Sequence, residues 1–217
     1  LGYLWSVLDP LVMSLIYWFV FTQVFSRTVG EQPYIVFLIS ALLPWVWFNS
    51  AVTDFTRAFS RDSKLVRSTA IPRSIWVNRI VLSKGIEFLC SLPVLAAFAI
   101  FAGATVSWQL LWFPVAVLLQ AVLLVGLGLL VAPLCALYAD LERTTRLILR
   151  VLFYASPIIY AGSDLPGAFG DFAAANPLFG IFSLYRVAFF PDQWNPTEIL
   201  GAVLMSALIL VLGVLVF

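Results

Sequence analysis

Residues 60–74, SRDSKLVRSTAIPRS, form a cationic polar island ending near a proline and set between two long apolar runs. Arg61, Lys64, Arg67 and Arg73 stand there against a single Asp62. On either side, residues 34–52 and 75–102 are long and apolar enough to cross a hydrocarbon core, which takes about 20 helical residues. Lys and Arg gathered between two spans mark the cytoplasmic side of a membrane. The fold class that follows is all-α and membrane-integral.

Composition agrees with this reading. Of 217 residues, 63% are hydrophobic and 11% charged, and the mean hydropathy is +1.04, far from the balance of a soluble domain. A net charge of +1 gives no sign of a nucleic-acid partner. With no His, imidazole catalysis and imidazole metal ligation are excluded within this chain. Cys90 and Cys135 lie in apolar runs without CxxC spacing and are expected to be inert buried thiols. The opening on Leu1 and the stop at Phe217 inside an apolar run suggest a piece of a longer protein. No positive stretch precedes the first apolar run and no small-residue cleavage site follows it, unlike a removable signal peptide.

The same ruler finds six spans in one domain, residues 1–217: 4–25, 34–57, 75–102, 109–137, 147–161 and 198–217. Pro44 should kink the second, and Asp54 and Arg57, three apart, could pair at its water boundary. The third exceeds what a bilayer requires and holds Arg79, Lys84 and Glu87. Lys84 and Glu87 neutralise each other at that spacing, a reading preferred over a transport role. Gly126 and Gly128 in the fourth permit close helix contact. The fifth is short and ends in the breaker SPIIYAGSDLPG. Residues 163–195 are too broken to span and too apolar for an ordinary loop, so short helices at or dipping into the outer interface are expected. With the island inside, all of the 12 Lys and Arg except Arg27 and Arg186 fall on the inner side. That asymmetry puts both termini in the cytoplasm.

Chemistry is conspicuous by absence. There is no GxxxxGK[ST], no GxGxxG and no Asp-rich metal loop, so ATP hydrolysis by a phosphate loop, a catalytic site and a metal site are not expected. Asp140 and Glu142 beside Arg143 and Arg146 read as a charge-balanced turn rather than a catalytic carboxylate pair. Aromatic residues make up 16% of the chain, and most lie near span ends, where an interfacial belt accounts for them. A conduit for glycans would present aromatic faces to the C–H faces of sugar rings. Tyr17, Phe21 and Phe25, at i, i+4 and i+8, and Tyr154 and Tyr160 around the Ser156–Pro157 break are the candidates for such a lining.

LGYLWSVLDPLVMSLIYWFVF at the start, LLPWVWFNSAV at 42–52, SKLVRSTAIPRS at 63–74, YADLERTTRLILRVLFYASPIIY at 138–160 and NPLFGIFSLYR at 176–186 occur in order. Together they resemble the membrane domain of type 2 ABC exporter permeases, in the Wzm-like branch that exports lipid-linked polysaccharide, O-antigen and teichoic acid. In that branch the island often carries an Asn and an aromatic before its Pro, where this chain has Asp62-Ser63 and Thr69-Ala70-Ile71. The resemblance implies a six-helix permease with a re-entrant outer segment, in a bacterial cytoplasmic membrane. It implies a homodimer, two separate nucleotide-binding subunits that hold the ATP and Mg, and a lipid-linked glycan as cargo; a drug or lipid exporter of the same fold is the alternative. It makes Arg61, Asp62, Ser63, Lys64, Leu65, Val66 and Arg67 the coupling helix, with Leu65 and Val66 as apolar anchors inside a basic rim. Pro157, Asn176, Pro177 and Arg186 become candidates for an outer gate. Without an ATPase, a membrane-embedded transferase or flippase would remain, and a passive scaffold fits poorly with ionisable groups inside spans.

Overall fold

A computed structural model describes residues 8, 11–13, 15–16, 19–20, 31–61, 72–138, 140–162 and 176–217, with 60 and 61 as backbone only. Its helices are α1 (Tyr34–Phe55), α2 (Ala58–Arg61), α3 (Ser74–Phe101), α4 (Phe113–Leu137), α5 (Leu141–Ala155), α6 (Pro177–Arg186) and α7 (Pro196–Val216). Short 3-10 turns at Trp108–Trp112 and Pro191–Gln193 lead towards α4 and α7. Among the described residues there is no strand.

Among the described residues, four stretches are long and apolar enough to cross a membrane: Tyr34–Phe55, Ser74–Phe101, Trp108–Leu137 and Pro196–Val216. They match the second, third, fourth and sixth expected spans to within a few residues. Of the expected first span, only residues such as 11–13 and 15–16 are described, and these are helical. The fifth differs. Helix α5 begins six residues before position 147, because Glu142 in its first turn suits the positive end of the helix dipole. It ends at Ala155, because Pro157 disfavours helical backbone at Ser156, which is extended at φ −109° and ψ 151°. Its 15 residues reach about 22 Å, short of the roughly 30 Å hydrocarbon core.

The bundle is built around α1. Its most apolar stretch is 78% buried, against 17% for α7, so α1 is the central pillar and α7 a peripheral helix with most of its side chains outward. Helix α1 continues through Pro44, whose carbonyl accepts a hydrogen bond from Nε2 of the fully buried Gln120 on α4 at 2.8 Å. A polar side chain inside a membrane bundle thereby acquires a partner and ties two helices. Trp47, Phe88, Phe113 and Tyr185 stack or meet edge-on and join α1, α3, α4 and α6. Trp45, Trp47 and Trp76 are therefore core residues rather than members of an interfacial belt, whereas Trp108 and Trp194 remain exposed.

Small residues set the closest helix approaches. A Cβ on Gly126 would lie 2.7 Å from the Leu210 nitrogen, and one on Gly213 2.5 Å from the Gly126 oxygen, so α4 and α7 touch backbone to backbone. Helix α6 is a core element: Leu178 to Arg186 are all buried, and it lies against α1, α4 and α7. The short helix expected within 163–195 is present here, and its mostly apolar side chains are covered by three neighbouring helices. Residues 163–175 lie outside the described set.

Charges at the Phe55 end of α1 are matched across helices. Lys84 Nζ donates to both Glu87 oxygens at 3.0 and 3.1 Å and stands 3.8 Å from Asp54 Oδ2. Pairing of Lys84 with Glu87 is as expected. Arg57, in contrast, reaches from the end of α1 to Glu142 on α5. Cys90 is exposed on α3 and Cys135 half-buried, so the expectation of two buried thiols is corrected; neither forms a disulfide.

Candidate functional site

Helix α5 carries three stripes. Leu141, Thr145, Leu149, Leu152 and Phe153 turn towards the bundle, while Arg143, Arg146 and Arg150 follow one another on a second stripe at helical spacing. Leu147, Val151 and Tyr154 form an exposed apolar third, Tyr154 at 66%. Between α1 and the part of this stripe that holds Arg146 and Arg150 runs a groove of about 550 Å³. Its α1 wall includes Trp45, Asn49, Ser50 and Thr53, its α5 wall Arg146, Arg150, Phe153 and Tyr154, and Met13 borders it.

Both walls follow from local sequence. The hydroxyls of Ser50 and Thr53 donate to their own helix, to Trp47 O at 3.1 Å and Asn49 O at 2.7 Å, which leaves their oxygens as acceptors. Val46 is the exposed residue of α1, so the groove lies where the pillar is least covered. Trp45 meets Phe153 edge-on at 5.5 Å between centroids, an aromatic closure at the Tyr34 side. The Phe55 side is charged. Arg57 Nε donates to Glu142 Oε1 at 2.9 Å, and Arg146 donates to that same oxygen. These two guanidinium bonds, Arg57 first, hold the Glu142 carboxyl down to about 2 from an ordinary 4.5. One carboxylate thus serves two cations, and Asp54 also acts on Arg57.

Arg150 lies eight residues beyond Glu142, about 12 Å further along the helix. It is exposed in the groove and has no hydrogen-bond or ion-pair partner among the described residues. A lone guanidinium at such depth is costly in hydrocarbon and stable in a hydrated cavity. The groove therefore suits a ligand with apolar sugar-like faces and hydroxyl or anionic groups.

The second cluster lies at the Tyr34 end. Asn176 caps α6, its Oδ1 accepting from Leu178 N at 3.0 Å, and its Nδ2 donates to Ser156 Oγ at 3.1 Å. Pro177 occupies the first turn of α6, where a missing N–H costs nothing. Pro157 is buried in the segment after α5. Arg186, 1% exposed, closes the arrangement. It donates to Phe37 O at 3.3 Å, Tyr160 O at 3.3 Å and Ile158 O at 2.8 Å, and its guanidinium carbon lies 3.6 Å from the Phe37 ring centroid. Three carbonyls and an aromatic face make a buried charge tolerable. Tyr34 Oη donates to Ile159 O, and Tyr160 Oη to Tyr154 O, both at 3.1 Å.

Thus Pro157, Tyr160, Asn176, Pro177 and Arg186 come together as a fastened cluster, with Tyr154 at its junction with the groove. Tyr17, Phe21 and Phe25 lie outside the described residues, as do Asp62, Ser63, Lys64, Leu65, Val66 and Arg67; Arg61 is the last residue of α2. Sequence reasoning used Arg146 and Arg150 to count charge and overlooked them as a wall. The signal was there: an Arg four residues into an expected span, one turn after another Arg.

A family model described as ABC-2 type transporter matches residues 1–190. The chain is 32% identical over 218 residues to an O-antigen export system permease protein RfbA of Klebsiella pneumoniae, covering 100% of this chain and 83% of that one. It is 27% identical over 212 residues to the protein of that name from Myxococcus xanthus, covering 97% and 81%. Similarity extends to the polysialic acid transport protein KpsM of Escherichia coli, 24% identical over 221 residues, covering 96% and 81%.

Proposed function

The chain belongs to the ABC-2 type transporter family, and we propose that it is the membrane-spanning permease of a polysaccharide exporter, with its groove as one wall of the export path. The observation that carries this reading is similarity to O-antigen export permeases along nearly all of this chain, whose groove combines aromatic and hydrogen-bonding walls. Sugars present both kinds of surface. An open groove of this kind needs a second wall, which a second copy of the chain would supply by facing α1 and α5 across the path. Six spans per copy, with both ends in the cytoplasm of a bacterial inner membrane, complete the assembly.

Energy comes from a separate nucleotide-binding subunit that holds ATP and Mg, since the sequence has no phosphate loop. Residues 61–67 dock on it, Leu65 and Val66 entering an apolar groove and the basic residues framing them. Tyr17, Phe21 and Phe25 join Tyr154 along the path. The fastened cluster around Arg186 is the outer gate, and a lipid-linked glycan is the cargo.

The test replaces the permease gene of a polysaccharide-exporting strain with this chain and its neighbouring ATPase subunit. Surface polysaccharide is expected to return, and Leu65→Asp is expected to abolish it while leaving the chain in the membrane. Intracellular polymer accumulating with the wild-type chain, together with efflux of small amphiphiles, would overturn the reading in favour of a drug or lipid exporter.

A further inference from the structure

Among the described residues, no element covers one face of α3. Ile75, Arg79, Leu82, Ile86 and Leu89 follow one another there at helical spacing, and all five are exposed. The 28 residues of α3 reach about 42 Å, roughly 12 Å more than a hydrocarbon core needs. The surplus belongs at the Ser74 end, since residues 92–101 hold no polar side chain, whereas Asn78 and Arg79 are exposed in the first two turns. Arg79 then stands at headgroup depth, and the apolar ridge from there to Leu89 runs about 15 Å, the thickness of one leaflet. Residues 72–83 contain Arg73 and Arg79 and no Asp or Glu, and Lys84 beyond them is bonded to Glu87. The Arg79 guanidinium carbon lies 5.0 Å from the ring centroid of Trp76, which is itself only 6% exposed. A fixed indole thus restrains the cation, and a stacked guanidinium keeps its donors in its own plane. Helix α7 gives the contrast: Leu200, Leu204, Leu208 and Leu215 are exposed, but residues 196–217 contain no Lys or Arg. Its face suits any acyl chain, whereas that of α3 also selects a head.

We propose that this face of α3 is a binding site for an anionic phospholipid of the membrane, with its phosphate on Arg79, Arg73 and Asn78 beside the head, and one acyl chain along Leu82, Ile86 and Leu89. An anionic head is favoured over a zwitterionic one because residues 72–83 offer no carboxylate to a choline or ethanolamine cation. A free phosphate would leave the apolar ridge uncovered. A second copy docked here near a two-fold axis would set the same arginines against each other. The site is separate from the groove between α1 and α5 and does not depend on the cargo. Only its leaflet, the cytoplasmic one, follows from the orientation proposed above.

The experiment uses the full chain carrying Cys135→Ser, with its ATPase subunit, in phosphatidylcholine vesicles. A bimane label on Cys90, exposed one residue beyond Leu89, reports which acyl chains lie on the ridge. Phosphatidylglycerol brominated in its chains is expected to half-quench the label at a mole fraction about fivefold lower than brominated phosphatidylcholine, the effect of a basic side chain beside an anionic head. Arg79→Gln should reduce that preference to less than about twofold. Quenching by brominated phosphatidylcholine should stay the same in this variant, which shows that the face still folds and meets lipid. Arg79→Lys, which keeps the charge and loses the fork, should fall between. A label at Leu204→Cys on α7, with both native cysteines replaced by Ser, should show a preference of less than about twofold. Equal quenching by the two lipids at Cys90, or a preference retained in Arg79→Gln, would overturn the inference. An equal loss in Arg143→Gln would do the same by making the preference a property of diffuse charge. So would reversal by soluble glycerol phosphate, or a label that neither lipid quenches, the mark of a protein partner on this face.

Discussion

Arg186 shows how much one buried side chain can hold. It joins the first turns of α1, the segment after α5 and the end of α6 through three carbonyls and the Phe37 ring. Arg186→Ala removes those charge-assisted bonds and leaves carbonyls without a donor, a cost of about 3 kcal/mol. The expected result is a clearly lower melting temperature in detergent with helix content retained at low temperature; a shift within error would refute the fastening role. Glu142 sets a pH window. Its carboxyl is held at about 2 against 4.5, so its contribution is complete above about 4.5 and lost as pH falls from there towards about 2. The stability difference between the wild-type chain and Glu142→Gln should therefore be constant from pH 7 to about 5 and shrink below about 4.5. A difference that instead grew on acidification would contradict this. The two pairings near this corner also show what a sequence reveals. Lys84 and Glu87 could be paired from their spacing because helical neighbours are fixed by geometry. The partner of Arg57 could not, because it lies 85 residues away across a helix contact.

At the level of elements, the close approach of α6 to α7 is decided at Gly180, where a Cβ would stand 2.2 Å from the Glu198 oxygen. Gly180→Ala must push the two helices apart, a destabilisation of about 1–3 kcal/mol, to be read from thermal unfolding beside Gly103→Ala. Gly103 is the informative comparison: its added Cβ meets nothing within 4 Å, but its φ of 66° is strained for Ala. Equal melting for Gly180→Ala and the wild type would sink the steric argument. Four spanning helices could be read from hydropathy because burial in lipid or bundle demands nothing finer than apolar length. Helix α5 was expected as the short fifth span, but its bounds could not be read, since its polar face includes Arg146 and Arg150 and its start is set by a helix-end charge rather than by hydropathy. The same limit left the depth of α6 open. Its ten residues, PLFGIFSLYR, are too few to span, and whether such a segment lies on the surface or inside depends on neighbours that no local pattern names.

For the molecule as a whole, the central question is which exposed surfaces meet water and which meet lipid. Leu204 on α7 is 60% exposed, whereas Asn49 is only half-buried at the groove. With Cys90 and Cys135 replaced by Ser, Asn49→Cys should nonetheless react with a water-soluble maleimide about tenfold faster than Leu204→Cys, because the reactive thiolate forms only where water reaches. The opposite order would place the groove in lipid. A bundle of apolar spanning helices was legible in the sequence, but the central place of α1 was not, because the peripheral α7 has the higher mean hydropathy, 2.9 against 1.9. Nor was the groove, since Asn49, Ser50 and Thr53 acquire meaning only when α5 is laid against them. The reach of α5, about 22 Å, has one further consequence. A helix that short is mismatched to an average bilayer, and the membrane beside it must thin or be invaded by water. The protein should accordingly feel acyl-chain length: turnover in dierucoyl phosphatidylcholine is expected to be slower than in dimyristoyl phosphatidylcholine, with the thickness of the bilayer acting as a load on transport.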